Sequence, residues 1–175
     1  MLGLTLVASA LTGAAVDGMA QEEGRRRISP DWMSVDAANQ RVDLDIVAGL
    51  TTVNNAWNFN GYADGDMTIA VPLGWQVQIH FSNQDANYPH SVGIVEIEDP
   101  MPVSGDETTM AFPRAFSLKF VGGLFDEDTF AFKVNRTGKF WLFCGVPVHG
   151  RNGMWDYFVV SDEISEPYVE VPEGS

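Results

Sequence analysis

One run near the C-terminus, Phe143-Cys-Gly-Val-Pro-Val-His-Gly-Arg-Asn-Gly-Met-Trp155, places a thiol, an imidazole and a thioether in a single short loop. Cys144 is the only cysteine of the chain, and His149 is one of three histidines. A lone cysteine is ordinarily a small buried hydrophobe, but its spacing to His149 and Met154 argues for a ligand. Thiolate, imidazole and thioether are the donors of a mononuclear blue copper site, which needs one further imidazole. His80 sits on the polar face of an alternating strand, so His90, in Tyr88-Pro-His-Ser-Val92, is left to supply it.

The elements that must hold these groups are strands. Trp75, Val77, Ile79 and Phe81 alternate with Gln76, Gln78, His80 and Ser82, giving one dry and one wet face. Val42, Leu44 and Ile46 alternate with Asp43 and Asp45 in the same way, as do Phe130, Phe132 and Val134. The turn Asn135-Arg-Thr-Gly138 opens a strand that delivers Cys144, and an alternating run from Trp155 leaves the loop on its other side. Gly145, Gly150 and Gly153 relax the loop backbone, while Pro147 stiffens it and removes one amide donor close to the sulfur. Fewer such donors would raise the reduction potential. Short strands punctuated by Gly, Pro, Asn and Asp predict an all-β sandwich, and no helical periodicity competes with them. Residues 98–112 read as a long excursion between strands.

At 175 residues the chain suits a single domain. Residues 1–20 are apolar and rich in small side chains, as in a signal peptide or N-terminal anchor. Residues 21–40, with Arg25-Arg-Arg27, are expected to be a polar linker, and residues 41–175 the folded domain. The chain is thus expected outside the cytoplasm, in the periplasm or its equivalent. Retention of the N-terminal run would add peripheral membrane association. Ten basic against 24 acidic residues give a formal charge of -14, which argues against nucleic acid as a partner. A single cysteine excludes an intrachain disulfide and any all-thiolate cluster.

The pattern formed by Cys144, Pro147, His149, Gly153 and Met154 resembles the ligand loop of the cupredoxins, closest to rusticyanin and sulfocyanin. Asn58-Phe-Asn-Gly61, residues 75–83, Pro89-His-Ser91 and Phe120-Val-Gly-Gly123 also resemble sulfocyanin, so the similarity spans roughly residues 41–161. The resemblance implies a Greek-key β-sandwich, with His90, Cys144 and His149 as equatorial copper ligands and Met154 as the axial one. It also implies that Ser91 ties the His90 loop to the Cys144 loop. Where those relatives carry glycine, this chain has Val148.

An electron carrier with one type 1 copper is therefore expected, acting as a monomer between redox partners such as a cytochrome and a terminal oxidase. A copper enzyme needs a histidine beside the cysteine and several more for a second metal, whereas Cys144 lies between Phe143 and Gly145. The alternative is a copper chaperone or storage protein; Met101 and Met110 lack the close methionine spacing that would favour it. The electron is expected to pass the solvent-facing edge of His149, within an apolar patch of Val146, Pro147, Val148 and Met101.

Overall fold

The computed structural model describes residues 24–124 and 126–174, so the apolar N-terminal run lies outside the described residues. Among them the strands are β1 (Arg25–Ile28), β2 (Met33–Asp36), β3 (Arg41–Ala48), β4 (Thr68–Pro72) and β5 (Gln76–Asn83), then β6 (Gly93–Val95), β7 (Glu127–Lys133), β8 (Gly138–Phe143), β9 (Trp155–Ser161) and β10 (Tyr168–Pro172). They build two sheets, ordered β1-β10-β4-β9-β8-β6 and β2-β3-β5-β7. This is the cupredoxin-like Greek-key sandwich. Helical backbone among the described residues is confined to short 3-10 turns, and no helix there is long and apolar enough to cross a membrane.

Alternation sets the register. β3 and β5 run parallel with Val42 beside Val77, Leu44 beside Ile79 and Ile46 beside Phe81, so one apolar face is shared. Slipping either strand by one residue would turn that face to water. Phe140 and Leu142 of β8, Phe158 and Val160 of β9, and Ile69 and Val71 of β4 meet it from the other sheet, all buried. Each such side chain, fully buried, stabilises the fold by about 1.5–3 kcal/mol. The excursion before β7 contributes Phe112, whose ring packs 5.7 Å from that of Phe132 and 5.1 Å from that of Phe140.

The stretch expected to be a linker contains β1 and β2. β1 pairs with β10 and β2 with β3, so both lie at sheet edges. β1 carries three successive arginines before Ile28, and β2 alternates Met33 and Val35 with Ser34 and Asp36 over only four residues, too short a run to stand out. Charge at an exposed edge also discourages pairing with another chain. Arg25 donates to the carbonyls of Asp66 (2.7 Å) and Glu170 (3.1 Å), and Arg27 lies over the Tyr168 ring. The basic triplet is thus part of the sheet.

β9 buries Asp156 along with Phe158 and Val160. One carboxylate oxygen of Asp156 accepts the Met67 amide at 2.9 Å. The other is buried without a hydrogen-bond partner. Burial holds this carboxyl well above the usual range, outweighing the Met67 amide. The raised pKa means that the folded state keeps the proton to higher pH than the unfolded chain does. The stability it supports is full below about pH 4 and is lost as pH rises through the raised value. Asp156→Asn, which cannot ionise, should therefore gain on the parent chain as pH rises, by up to about 1.4 kcal/mol per pH unit. Denaturant unfolding of both proteins from mildly acidic to neutral pH checks this; parallel curves would contradict it.

Candidate metal centre

β8 ends at Phe143, and the Cys144 amide then donates to the Met154 carbonyl at 3.2 Å, pinching the loop shut. His149 caps a 3-10 turn over Gly150–Asn152, and the Met154 amide donates to the His149 carbonyl at 3.0 Å. Gly153 closes the turn with φ +94°, and a side chain there would strike the Asp64 carboxylate. Val148 also adopts a left-handed backbone, with φ 67°. That conformation is strained for a β-branched residue and is one that glycine adopts freely. Its amide donates to the Val103 carbonyl at 2.7 Å, which holds the strained turn in place.

His90 follows β5 on a loop organised by two asparagine-type turns. Asn83 accepts the Asp85 amide (2.9 Å) and donates to the carbonyls of Tyr88 and Gly123. Asp85 accepts the amides of Asn87 (2.8 Å) and Tyr88 (3.3 Å) on one oxygen. Its other oxygen lies 3.1 Å from His90 Nε2, and both residues are buried. Burial works to raise the Asp85 carboxyl, but the Asn87 amide, His90 and the Tyr88 amide outweigh it and hold it below the usual range. As a carboxylate it accepts a hydrogen bond from Nε2–H, which keeps the proton on Nε2 and leaves the Nδ1 lone pair of His90 facing inward.

Three donor groups converge there. The ligand atoms of His90, Cys144 and His149 all lie within 4.8 Å of one another, and all three residues are buried. His149 Nδ1 is 3.2 Å from His90 Nδ1 and 3.7 Å from the Cys144 sulfur. Met154 is fully buried at the adjoining backbone position. Burial pushes His149 down to about 4 and also lowers His90, so both rings are neutral at pH 7 and offer lone pairs. Burial pushes the Cys144 thiol up to about 11, against opposing hydrogen bonds from the amides of Val146 and Ser91. A thiolate at neutral pH here needs a cation beside it. Two neutral imidazoles and one soft sulfur, closed to solvent, suit copper.

Ser91 Oγ donates to the Phe120 carbonyl at 2.7 Å and accepts the Gly145 amide at 2.9 Å. It also stands 3.9 Å from the Cys144 sulfur. The His90 loop, the Cys144 loop and the 120–123 segment are fastened through this one hydroxyl.

The structure leaves little of the expected solvent-facing edge: His149 is only 4% exposed. The indole of Trp57 lies on its imidazole, with ring centroids 3.9 Å apart and planes inclined by 20°. Val146 is buried as well, whereas Pro147 and Val148 are exposed. Met101 and Met110 pack against Val95, Trp141 and Phe143. His80 lies apart from the cluster, between Gln78 and Thr129. Asp85 and Trp57 were not singled out by sequence reasoning.

A family model for the sulfocyanin (SoxE) domain matches residues 29–111 and 121–171. The chain belongs to the sulfocyanin family. A curated sulfocyanin from Sulfolobus acidocaldarius is 28% identical over 144 residues, covering 77% of this chain and 71% of that one. Among solved structures, the copper protein rusticyanin is similar with a TM-score of 0.50 and 18% identity, over 75% of this chain and 88% of its own. Auracyanin A, a blue copper protein of Chloroflexus aurantiacus, has a TM-score of 0.49 and 16% identity over 69% of this chain and 99% of its own. The likeness to rusticyanin bears on the fold: two sheets closed into the cupredoxin sandwich. Sulfocyanins are cupredoxins, blue copper proteins with one type 1 copper, and the cluster of His90, Cys144 and His149 fits that ion.

Proposed function

We propose that this chain carries single electrons between respiratory redox partners outside the cytoplasm, using one copper held by His90, Cys144 and His149 with Met154 as axial donor. The observation that carries this reading is the buried convergence of two imidazole nitrogens and one sulfur within 4.8 Å. Copper bound there supplies a one-electron couple between the +1 and +2 states. The chain's part is to keep the donors fixed through both. Asp85 orients His90, the Cys144–Met154 backbone bond closes the loop, and Ser91 joins the two loops. A donor set that hardly moves keeps reorganisation small. Burial also disfavours the chaperone alternative, since a site that passes copper on needs its ligands within reach of a partner, and these are 0–4% exposed.

On this reading residues 1–20 are a signal peptide or membrane anchor and the folded domain begins close to Gly24. The acidic surface, with a formal charge of -14, would steer a basic redox partner such as a cytochrome or an oxidase subunit. An absorption spectrum of the copper-loaded protein tests the assignment. An intense visible sulfur-to-copper band supports it; a colourless protein that binds only Cu(I) would sink it. In the same preparation Met154→Leu should keep the colour and raise the potential, because a donor to the oxidised ion is lost. A lower potential would contradict the axial role.

A further inference from the structure

Trp57 stands at the centre of an aromatic column that starts at the metal cluster. His90 and His149 have ring centroids 5.0 Å apart, His149 and Trp57 3.9 Å, and Trp57 and Tyr88 5.7 Å with an edge-on angle of 77°. The column begins fully buried and ends at Tyr88, which is 48% exposed. The backbone beneath Trp57 is costly to hold. Asn54, Asn55 and Ala56 take φ values of 48°, 56° and 69° in succession. Asparagine tolerates that region, alanine does so poorly, and a run of three is strain that surrounding contacts must impose.

Those contacts are in place. Asn54 Nδ2 donates to the Trp57 carbonyl at 2.9 Å and to the Asn152 carbonyl at 2.8 Å, which bridges this strap to the ligand loop. Buried Asn58 fastens the strap from within, donating to the carbonyls of Thr51 and Val53 and accepting the Gly61 amide. The strap thus fixes the indole against the His149 ring. Outside the column lies a depression of about 380 Å³ lined by Asn54, Asn55, Trp57, Tyr88 and Asn152, without a charged side chain. A neutral opening of this kind lets another protein approach closely in spite of the acidic surface.

We infer that Trp57 is a positioning and coupling residue for electron transfer: it extends the electronic reach of the His149 ring to the surface, in place of an exposed imidazole edge. This rests on the carrier reading. Electronic coupling decays steeply across gaps between unbonded atoms, and two near-parallel rings in van der Waals contact offer the shortest such gap from His149 outward. In self-exchange between two copies, one electron leaves a reduced centre, Cu(I) becoming Cu(II), and enters an oxidised one, Cu(II) becoming Cu(I). No bond forms or breaks, no proton moves, and the indole is neither oxidised nor reduced.

The test compares Trp57→Leu, Trp57→Phe and Asn54→Gly in the full chain. Leucine keeps His149 covered but removes the π surface. Phenylalanine restores a ring, and glycine at position 54 keeps the left-handed backbone while removing both strap bonds. Self-exchange, measured by NMR line broadening in mixtures of oxidised and reduced protein, should slow several-fold for Trp57→Leu. It should recover most of the loss in Trp57→Phe and slow to a lesser degree in Asn54→Gly, all with the visible band unchanged. A second measurement needs no copper: His149 ring protons of the metal-free protein should lose their ring-current shielding in Trp57→Leu. A self-exchange rate that stays level or rises in Trp57→Leu, with the band intact, would overturn the inference and leave the carrier reading standing. Absence of a visible band in the parent protein would instead remove the carrier reading itself. Where Trp57→Leu does not fold, Asn54→Gly decides: an unchanged rate overturns the inference.

Discussion

Cys144→Ser is expected to erase the visible band of the copper-loaded protein and leave the sandwich folded. The band depends on charge moving from a thiolate sulfur to the metal. A serine hydroxyl is a hard donor that stays protonated at neutral pH, so it supplies neither the electron-rich sulfur nor the negative charge. The fold should tolerate the change because the Cys144 amide keeps its bond to the Met154 carbonyl. The new hydroxyl also has a partner at hand, since the sulfur it replaces lies 3.7 Å from His149 Nδ1. A buried hydroxyl that fails to pair costs about 1–3 kcal/mol, which sets the upper end of the expected loss. Absorption spectra and denaturant midpoints of both proteins measure the two effects separately. A blue serine variant would sink the assignment of Cys144.

Asp85→Ala should weaken copper binding by about 10–100-fold, the usual consequence of removing a group that orients a ligating histidine. The alanine leaves buried His90 Nε2 without its acceptor and strips the Asn87 and Tyr88 amides of theirs. Asp85→Asn separates orientation from charge. Its amide oxygen can still accept hydrogen bonds, so affinity should fall less. Losing the nearby negative charge disfavours the oxidised, more positive metal, so the potential should rise. Competition with a copper chelator and redox titration check the pair. Unchanged affinity in the alanine variant, or a lower potential in the asparagine variant, would show that Asp85 does not act through His90.

Why Asp85 escaped sequence reasoning is instructive. The chain has 24 acidic residues, and nothing in their types distinguishes the one that meets an imidazole. A usable signal lay in the turn chemistry before His90, where Asn83 and Asp85 are the residue types that bond back to nearby backbone. Trp57 was harder to find: it reaches His149 only because β3 and the strap after it fold across the ligand loop. The resemblance picked out Asn58 to Gly61 but not what that stretch holds in position. By contrast the loop from Cys144 to Met154 was legible, because its donors sit on one turn and local spacing alone brings them together. Strands with one wet and one dry face, such as β3 and β5, were equally plain. β4, a short continuous apolar run, and β1, with its three arginines, lack that alternation, and β2 shows it over only four residues, so tertiary pairing decides them.

The strap over His149 also bears on how the protein acquires its metal. The ligand set is 0–4% exposed, and Trp57 lies over it on the His149 side. For copper that enters on that side, loading would require the indole to swing away. The same cover would then slow escape as well as entry. Asn54, which joins the strap to Asn152, then acts as the latch on this door: loosening it would hasten both uptake and loss while leaving the donors themselves untouched.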